Sequence, residues 1–214
     1  MKAMKGLFIT FEGGEGCGKS TQVARLAEKL REMGRDVVLT REPGGTELGE
    51  KIRTLLKAPT GEPPCDRSEV LLFLAARAQL LDHVIRPALA RGACIISDRF
   101  SDSTFAYQGY GRGFSLELLH QMNAFACHSL VPHLTFLLEV APEVAAARLR
   151  KRETESATCA DRIERAGSEF HQRLSKGFHE LAVAEPDRFR IIDASGTPDE
   201  VCDQIWTLTK PFIS

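Results

Sequence analysis

Short apolar runs alternate along this 214-residue chain with longer segments whose apolar residues recur at helical spacing. The runs are rich in Phe, Ile, Val and Leu, and each has the length of a strand in a globular protein. Five such runs occur, at residues 7–11, 37–40, 93–98, 134–140 and 189–193. Strands that alternate with helices predict an α/β fold, a doubly wound sheet of five parallel strands with helices on both faces.

The segments between the strands are predicted to be helices with a few loops. The predicted helices span residues 22–30, 48–56, 68–90, 116–127, 142–152, 161–185 and 199–209. Pro87 is expected to bend the helix that contains it. Residues 99–113 are polar, aromatic and rich in glycine, an unlikely composition for a mere connector. Residues 153–160 are small and polar, which suggests a mobile segment.

Composition narrows the class of protein. A hydrophobic content of 43% and a charged content of 27% indicate one ordinary globular domain, since no repeat or linker divides the chain. The formal net charge of −1 gives no basic field for nucleic acid or a membrane surface. We expect a cytoplasmic protein, because no signal peptide precedes the first strand and no apolar run approaches the roughly 20 residues of a membrane span. The six scattered cysteines favour reduced thiols over disulfides or a zinc site.

The first strand leads into a phosphate-binding pattern, G-x-x-x-x-G-K-[ST], which a helix follows. Glycines let backbone N–H groups point at phosphate oxygens, and the helix adds its positive N-terminal end. The lysine contributes a point charge to the β- and γ-phosphates, and the serine hydroxyl can ligate magnesium. A chance glycine turn with a solvated lysine is the alternative. The predicted ATP-binding residues are Gly13, Gly14, Glu15, Gly16, Cys17, Gly18, Lys19, Ser20 and Thr21.

The rest of the chain favours a small-molecule kinase over other phosphate-loop proteins. A guanine-reading N-K-x-D element is missing from the sequence, which argues against a nucleotide-dependent switch, and a transport or motor ATPase usually has a larger domain. Asp98 ends an apolar strand and can hold magnesium together with Ser20, although a helix N-cap is its simpler interpretation. The basic run Arg148, Arg150 and Arg152 suggests a catalytic lid over residues 148–162 of the single kinase domain. A solvated basic helix end would give the same pattern.

Six fragments, in order along the chain, resemble bacterial thymidylate kinases (dTMP kinases), members of the nucleoside monophosphate kinase family with a phosphate loop. The fragments are Phe11-Glu12-Gly13, Arg41-Glu42-Pro43-Gly44-Gly45-Thr46, Phe73-x-x-Ala76-Arg77-Ala78-Gln79, Asp98-Arg99-Phe100, Ser103-x-x-Ala106-Tyr107-Gln108-Gly109 and Asp161-Arg162-Ile163-Glu164. The resemblance implies a homodimer that phosphorylates dTMP to dTDP with ATP and Mg²⁺, for de novo and salvage synthesis of dTTP. Its partners would be these small substrates, with no nucleic acid and no membrane.

The resemblance also implies roles for single residues. Phe73 would stack on thymine, Arg77 would donate to a thymine carbonyl, and Thr104 and Gln108 would complete the base pocket. Tyr107 would crowd the 2′ position of the sugar. Glu12 would meet the 3′-hydroxyl, and Arg99 with Arg53 would bind the monophosphate. Lys19, Asp98 and the lid arginines would be the catalytic residues.

Each of these roles has a plainer alternative. Phe73 fits a helix core, Arg53 and Arg77 fit exposed helix positions, and Tyr107 could be an ordinary half-buried side chain. Glu12 could simply face the backbone of the loop.

One departure concerns the phosphate loop itself. Some family members carry an arginine there, whereas this chain has Glu15, Gly16 and Cys17. We therefore expect the missing cation to come from the lid. Two other functions stay open from sequence alone: a kinase of the same fold for another nucleoside monophosphate or small metabolite, and a regulatory module that binds nucleotide without turnover.

Overall fold

The computed structural model describes residues 6–58, 61–156 and 167–213, and within these the description excludes the side chains of residues 152, 153, 155 and 156. Five parallel strands form one sheet, in the spatial order β2-β3-β1-β4-β5. The strands are β1 (Leu7–Glu12), β2 (Val37–Arg41), β3 (Cys94–Asp98), β4 (Leu134–Glu139) and β5 (Phe189–Asp193). The predicted α/β fold with five parallel strands is confirmed.

Helices connect the strands and cover the sheet. They are α1 (Lys19–Glu32), α2 (Glu47–Lys57), α3 (Asp66–Leu80), α4 (Arg86–Ala90), α5 (Ser101–Thr104), α6 (Leu116–Cys127), α7 (Pro142–Ser156), α8 (Ser168–Ala184) and α9 (Pro198–Ile213). Two π-helical segments, Leu81–Ile85 and Phe105–Gly111, continue α3 and α5. None of the helices in the described ranges is both long and apolar enough to cross a bilayer.

The hydrophobic core lies on both faces of the sheet, as expected for parallel strands. On one face, alternate residues of β1, β3 and β4 pack against α1 and α9, with Ile9 and Phe136 fully buried. On the other face, Phe8 and Ile95 pack under the π-helical turn after α3, and Leu137 packs under α8. Alternation of inward and outward residues along each strand therefore fills two layers of core at once.

The helical segment predicted over residues 68–90 is confirmed, although its winding becomes π-helical at Leu81, before Pro87. Residues 101–111, for which no element was predicted, are helical and become π-helical at Phe105. One predicted boundary is wrong. Helix α7 continues to Ser156, although mobility was predicted from residue 153, because Lys, Arg and Glu are all good helix formers. The predicted helix start at residue 161 lies outside the described residues.

The carboxyl ends of β1, β2 and β3 meet at one edge of the sheet. In the register of the sheet Asp98 lies beside both Phe11 and Arg41. The three chain segments that leave these ends are the phosphate loop, residues 42–46 and residues 99–104. Ligands of open α/β folds bind at this edge, and the candidate site lies here.

Candidate active site

The phosphate loop is held open by glycines with left-handed backbone conformations. Gly13 has a φ of 131°, and a Cβ there would lie 2.4 Å from the carbonyl oxygen of Leu138. Gly16 has a φ of 75°, and a Cβ there would lie 2.7 Å from the carbonyl oxygen of Ala145 in α7. Any side chain at either position would strain the backbone and push its neighbour away. The loop therefore packs directly against β4 and the first turns of α7.

Lys19 lies in the first turn of α1 and points back over the loop. Its Nζ donates to the carbonyl oxygens of Gly13 at 3.1 Å and Gly14 at 2.7 Å. The ammonium is thus held where the loop backbone curls, at the positive end of a 14-residue helix. A charge in this place favours phosphate oxygens bound by the same curl.

Two oxygen groups meet beside the loop. The Ser20 hydroxyl donates to Asp98 Oδ2 at 2.8 Å, although 78 residues separate them in the sequence. Ser20 is exposed at the start of α1, and Asp98 ends β3. A hydroxyl and a carboxylate are hard oxygen ligands of the kind that Mg²⁺ takes, so the pair fits that ion.

A single cavity of about 430 Å³ joins the phosphate loop to the segments after β2 and β3. Most of the sequence-predicted residues line this cavity: Glu15, Gly16, Gly18, Lys19, Ser20, Thr21, Arg53, Phe73, Arg77, Asp98, Arg99, Thr104, Tyr107, Gln108 and Arg148. Gly13, Gly14 and Cys17 belong to the loop but not to the cavity wall, and Glu12 and Arg150 also lie outside it.

Arg99 links the two ends of the cavity. Its backbone has a φ of 72°, a conformation that costs energy for a residue with a Cβ and is enriched at functional sites. The guanidinium donates to the Gly13 carbonyl oxygen at 3.0 Å and to Glu15 Oε1 at 2.5 Å. It also lies 5.1 Å above the ring centroid of Tyr107, a cation–π distance.

Glu15 is the anionic partner of Arg99. Burial by itself would raise the pKa of Glu15, but the charges of Arg99 and Lys19 hold that pKa well below its usual range. The carboxylate therefore stays charged between two cations of the cavity.

Glu12 lies beneath the segment that follows β3. Its carboxyl is fully buried and accepts hydrogen bonds from the Phe100 N–H at 2.8 Å and the Ser103 hydroxyl at 2.6 Å. Burial, followed by the negative charge of Asp102, raises the pKa of Glu12 to about 8. Ser103 lines the cavity, whereas Glu12 does not. Contact between Glu12 and a sugar hydroxyl stays a prediction.

Arg77 is buried at the inner end of the cavity with 1% of its surface exposed. Its Nε and Nη2 both donate to Glu42 Oε2, at 2.8 and 2.6 Å, and Nη1 donates to Asn123 at 2.9 Å. Nη2 also donates to Thr104 at 2.9 Å. The guanidinium is therefore locked in place, and the alternative interpretation of Arg77 as an exposed helix residue is excluded.

Phe73, Tyr107 and Gln108 form the rest of this inner region. Phe73 is half-buried on α3 and lines the cavity, so its ring is not simply part of the core. Tyr107 is 8% exposed, and Gln108 is 1% exposed. Gln108 Nε2 donates to Glu69 Oε1 at 3.0 Å. Two aromatic faces and several fixed hydrogen-bonding groups converge here, which suits a flat heterocycle.

The other predicted arginines differ in whether they line the cavity. Arg53 Nη1 donates to the Pro43 carbonyl oxygen at 2.8 Å and lines the cavity. Arg148 lines it from α7, and its Nη1 lies 4.0 Å from the position a Cβ would take at Gly18. Arg150 is exposed on another face of α7. The side chain of Arg152 lies outside the described part of the chain.

Three buried carboxylates were missed by reasoning from sequence. Glu42 pairs with Arg77, Glu69 bonds to Gln108, and Asp102 accepts two hydrogen bonds from Arg188 at 2.8 and 2.7 Å. A role for Glu42 could have been predicted from one signal: it lies in the fragment at residues 41–46, directly after β2. The five described cysteines are all free.

Comparison with known proteins gives one consistent result. The family model described as thymidylate kinase matches residues 11–205. A thymidylate kinase of Synechococcus sp. (strain JA-3-3Ab) is 51% identical over 205 residues, 96% of each chain. One from Deinococcus radiodurans is 47% identical over 202 residues, which cover 94% of this chain and 95% of the relative. The crystal structure of a thymidylate kinase from Ehrlichia chaffeensis matches with a TM-score of 0.76 and 34% identity, over 95% of this chain and 98% of that one.

Proposed function

The chain belongs to the thymidylate kinase family, and we propose on that basis that it transfers the γ-phosphoryl group of ATP to dTMP. An oxygen of the dTMP phosphate attacks the γ-phosphorus, the bond to the β,γ-bridging oxygen breaks, and dTDP and ADP leave. The observation that carries this proposal is the single cavity, which has the phosphate loop at one end and Phe73 at the other. The two substrates can lie end to end in it, as an in-line transfer requires.

At the donor end, the side chains would neutralise the charge of the phosphates and would form no covalent bond. Lys19 would exchange its bonds to the loop carbonyls for oxygens of the β- and γ-phosphates. Ser20 and Asp98 would hold Mg²⁺, which when bound supplies charge to the same oxygens. Their 2.8 Å hydrogen bond supports this assignment, because it already brings the two oxygen ligands together.

The acceptor end would fix the nucleotide. Phe73 would stack on the base, and Tyr107 would lie against the sugar. Arg99 and Arg53 would bind the monophosphate, a task suited to the planar fork of a guanidinium. Supporting this assignment, both arginines line the cavity between the base end and the loop.

Arginines of α7 would complete the site during transfer. We assign this role first to Arg148, which lines the cavity beside Gly18. Residues four apart share a helix face, so Arg152 would follow Arg148, and Arg150 would point elsewhere. The lid at residues 148–162 is proposed on this ground, and its last six residues lie outside the described chain.

We further propose a cytoplasmic homodimer that supplies dTTP synthesis from both de novo and salvage dTMP. Support for the dimer comes from apolar side chains exposed on neighbouring helices: Leu71 of α3 is 58% exposed, and Leu118 and Phe125 of α6 are 47% and 88% exposed. Helices α3 and α6 pack against each other, and exposed large apolar side chains on packed helices are typical of an interface.

A coupled assay of ADP release tests the activity. We expect turnover with dTMP far above that with dCMP or UMP, and loss of turnover in Lys19→Ala. Comparable rates on the three nucleotides would favour a broader kinase of the same fold. Binding of ATP without turnover of any monophosphate would favour a regulatory module.

A further inference from the structure

Glu69 lies directly behind the base end of the cavity. It sits on α3 with none of its surface exposed, and it does not line the cavity itself. Its carboxylate accepts hydrogen bonds from Arg112 Nε at 2.8 Å and Nη2 at 2.9 Å, and from Gln108 Nε2 at 3.0 Å. Gln108, in contrast, does line the cavity.

This arrangement determines which end of the Gln108 amide faces Glu69. A carboxylate paired with a guanidinium only accepts hydrogen bonds, so the amide must present its NH₂ group to it. The carbonyl oxygen, Oε1, is then the end left for another partner. Among the described residues none donates to Gln108 Oε1. The end of the amide turned away from Glu69 is therefore the acceptor oxygen, Oε1.

The second polar group at the base end is fixed in the opposite sense. Arg77 carries only donors, and Glu42 and Asn123 hold its guanidinium in place. Arg77 thus presents a fixed donor, and Gln108 presents a fixed acceptor. Thymine and uracil carry an acceptor at O4 and a donor at N3–H. Cytosine has an amino group at C4 and a lone pair at N3, which reverses both requirements.

We propose that Glu69 is a positioning residue for base selection: through the Gln108 amide it makes the cavity accept the N3–H of thymine and reject cytosine. The inference rests on the proposed dTMP kinase function and adds a specificity device to it. Its physical basis is that a site built for one hydrogen-bonding pattern leaves buried polar groups unpaired with the other base.

Several contacts make Glu69 rigid enough for this role. Arg112 is tied at the same time to Asp66 at 3.0 Å, and its guanidinium lies 5.9 Å from the ring centroid of Phe170 on α8. Glu69 is thereby connected to α3, to the π-helical segment that carries Gln108, and to α8. A side chain fixed from three elements can hold an amide in one orientation.

The test compares kcat/KM for dTMP, dUMP and dCMP in the full-length wild type and in Glu69→Gln. The new amide can donate or accept, so Gln108 is no longer held in one orientation. We expect the dTMP:dCMP ratio to narrow by about tenfold, the size of a single mismatched buried hydrogen bond. The dTMP:dUMP ratio should not change, because both bases share the O4 and N3–H pattern.

Glu117→Gln is the matched control, since it makes the same chemical change at an exposed carboxylate of α6, away from the hydrogen bond between Glu69 and Gln108. Its ratios should equal those of the wild type. Gln108→Met keeps the length of the side chain but removes the amide, and it should narrow the dTMP:dCMP ratio as Glu69→Gln does. If Glu69→Gln does not fold, Gln108→Met tests the proposal by itself.

Two results would overturn the inference. One is an unchanged dTMP:dCMP ratio in either variant, and the other is an equal loss on all three nucleotides, which would mark Glu69 as purely structural. Neither result touches the proposed function if the wild type still prefers dTMP. A wild type that does not phosphorylate dTMP would instead remove the proposed function itself.

Discussion

The Glu15 carboxylate of the phosphate loop lies 2.5 Å from Nη2 of Arg99, measured from Oε1. This ion pair joins the end of the cavity proposed for ATP to the end proposed for the dTMP phosphate. It also places a negative charge between the sites of two anionic substrates. The pair therefore has opposing effects: it orients Arg99, and it competes with the phosphate for that guanidinium.

Glu15→Gln should separate these effects. The amide can still accept from Arg99, so orientation is kept, while the repelling charge is lost. We expect KM for dTMP to fall by roughly threefold to tenfold, the scale of one charge interaction of about 1 kcal/mol screened by water. Steady-state kinetics measure it, with the exposed Glu117→Gln as a control. A rise in KM would mean that the charge of Glu15 is needed to position Arg99.

Glu12 should give the protein a pH-dependent stability. Its pKa is about 8 in the folded protein against 4.5 ordinarily, so between these pH values the folded state binds the extra proton. The free energy of unfolding should then fall as pH rises from about 4.5 to 8, by an amount on the order of a few kcal/mol. Urea unfolding across this range should show the fall in wild type and a flatter profile in Glu12→Gln. Equal slopes in the two proteins would contradict the prediction.

Arg148 and Arg150 form a matched pair on one helix. Arg148→Ala should lower kcat by about 10²-fold with little change in KM for dTMP, as expected for a cation that acts mainly in the transition state. Arg150→Ala should stay within about twofold of wild type, because its side chain is exposed and outside the cavity. Unchanged kcat in Arg148→Ala, with a loss in Arg152→Ala, would move the role one helical turn along.

The buried pair of Glu42 and Arg77 should dominate stability at the inner end of the cavity. Glu42→Gln leaves the guanidinium without a charged partner and should lower the free energy of unfolding by about 3 to 5 kcal/mol. Glu47→Gln removes an exposed partner of Lys51 and should cost less than about 1 kcal/mol. Urea denaturation compares the two. Similar losses of unfolding free energy in the two variants would show that the buried ion pair stabilises the protein no more than the exposed one.

Phe125 provides a test of the proposed dimer. Phe125→Glu puts a charge into the exposed apolar surface of α3 and α6, and it should shift sedimentation toward the monomer. Val183→Glu on α8, also an exposed apolar position at 64% exposure, should sediment as wild type does. If wild type itself sediments as a monomer, the dimer proposal is wrong.

The five strands and the phosphate loop were predictable because both depend on local sequence. A run such as residues 93–96 is apolar along its whole length, which is typical of a strand buried on both faces. The glycine spacing from Gly13 to Gly18 likewise encodes a single backbone curl. The resemblance then supplied seven of the 22 residues that line the cavity, including Phe73 and Arg77.

The buried carboxylates were not predictable, because their partners are distant in sequence. Glu42 and Arg77 are 35 residues apart, and Gln108 and Glu69 are 39 apart. From sequence alone such charged residues are predicted to be exposed. Burying a charge costs free energy, and only a specific partner compensates for that cost. The π-helical winding of residues 105–111 was also not predicted, and in the structure this segment packs against α8.

The contact between Gly16 and Ala145 has a consequence for how this site can change. An arginine at position 16 would require an unfavourable backbone conformation and the space that α7 already fills. The helix that fills this space is the same helix that carries Arg148. A substitution at position 16 therefore cannot add a cation to the loop without displacing α7 and the arginine it supplies.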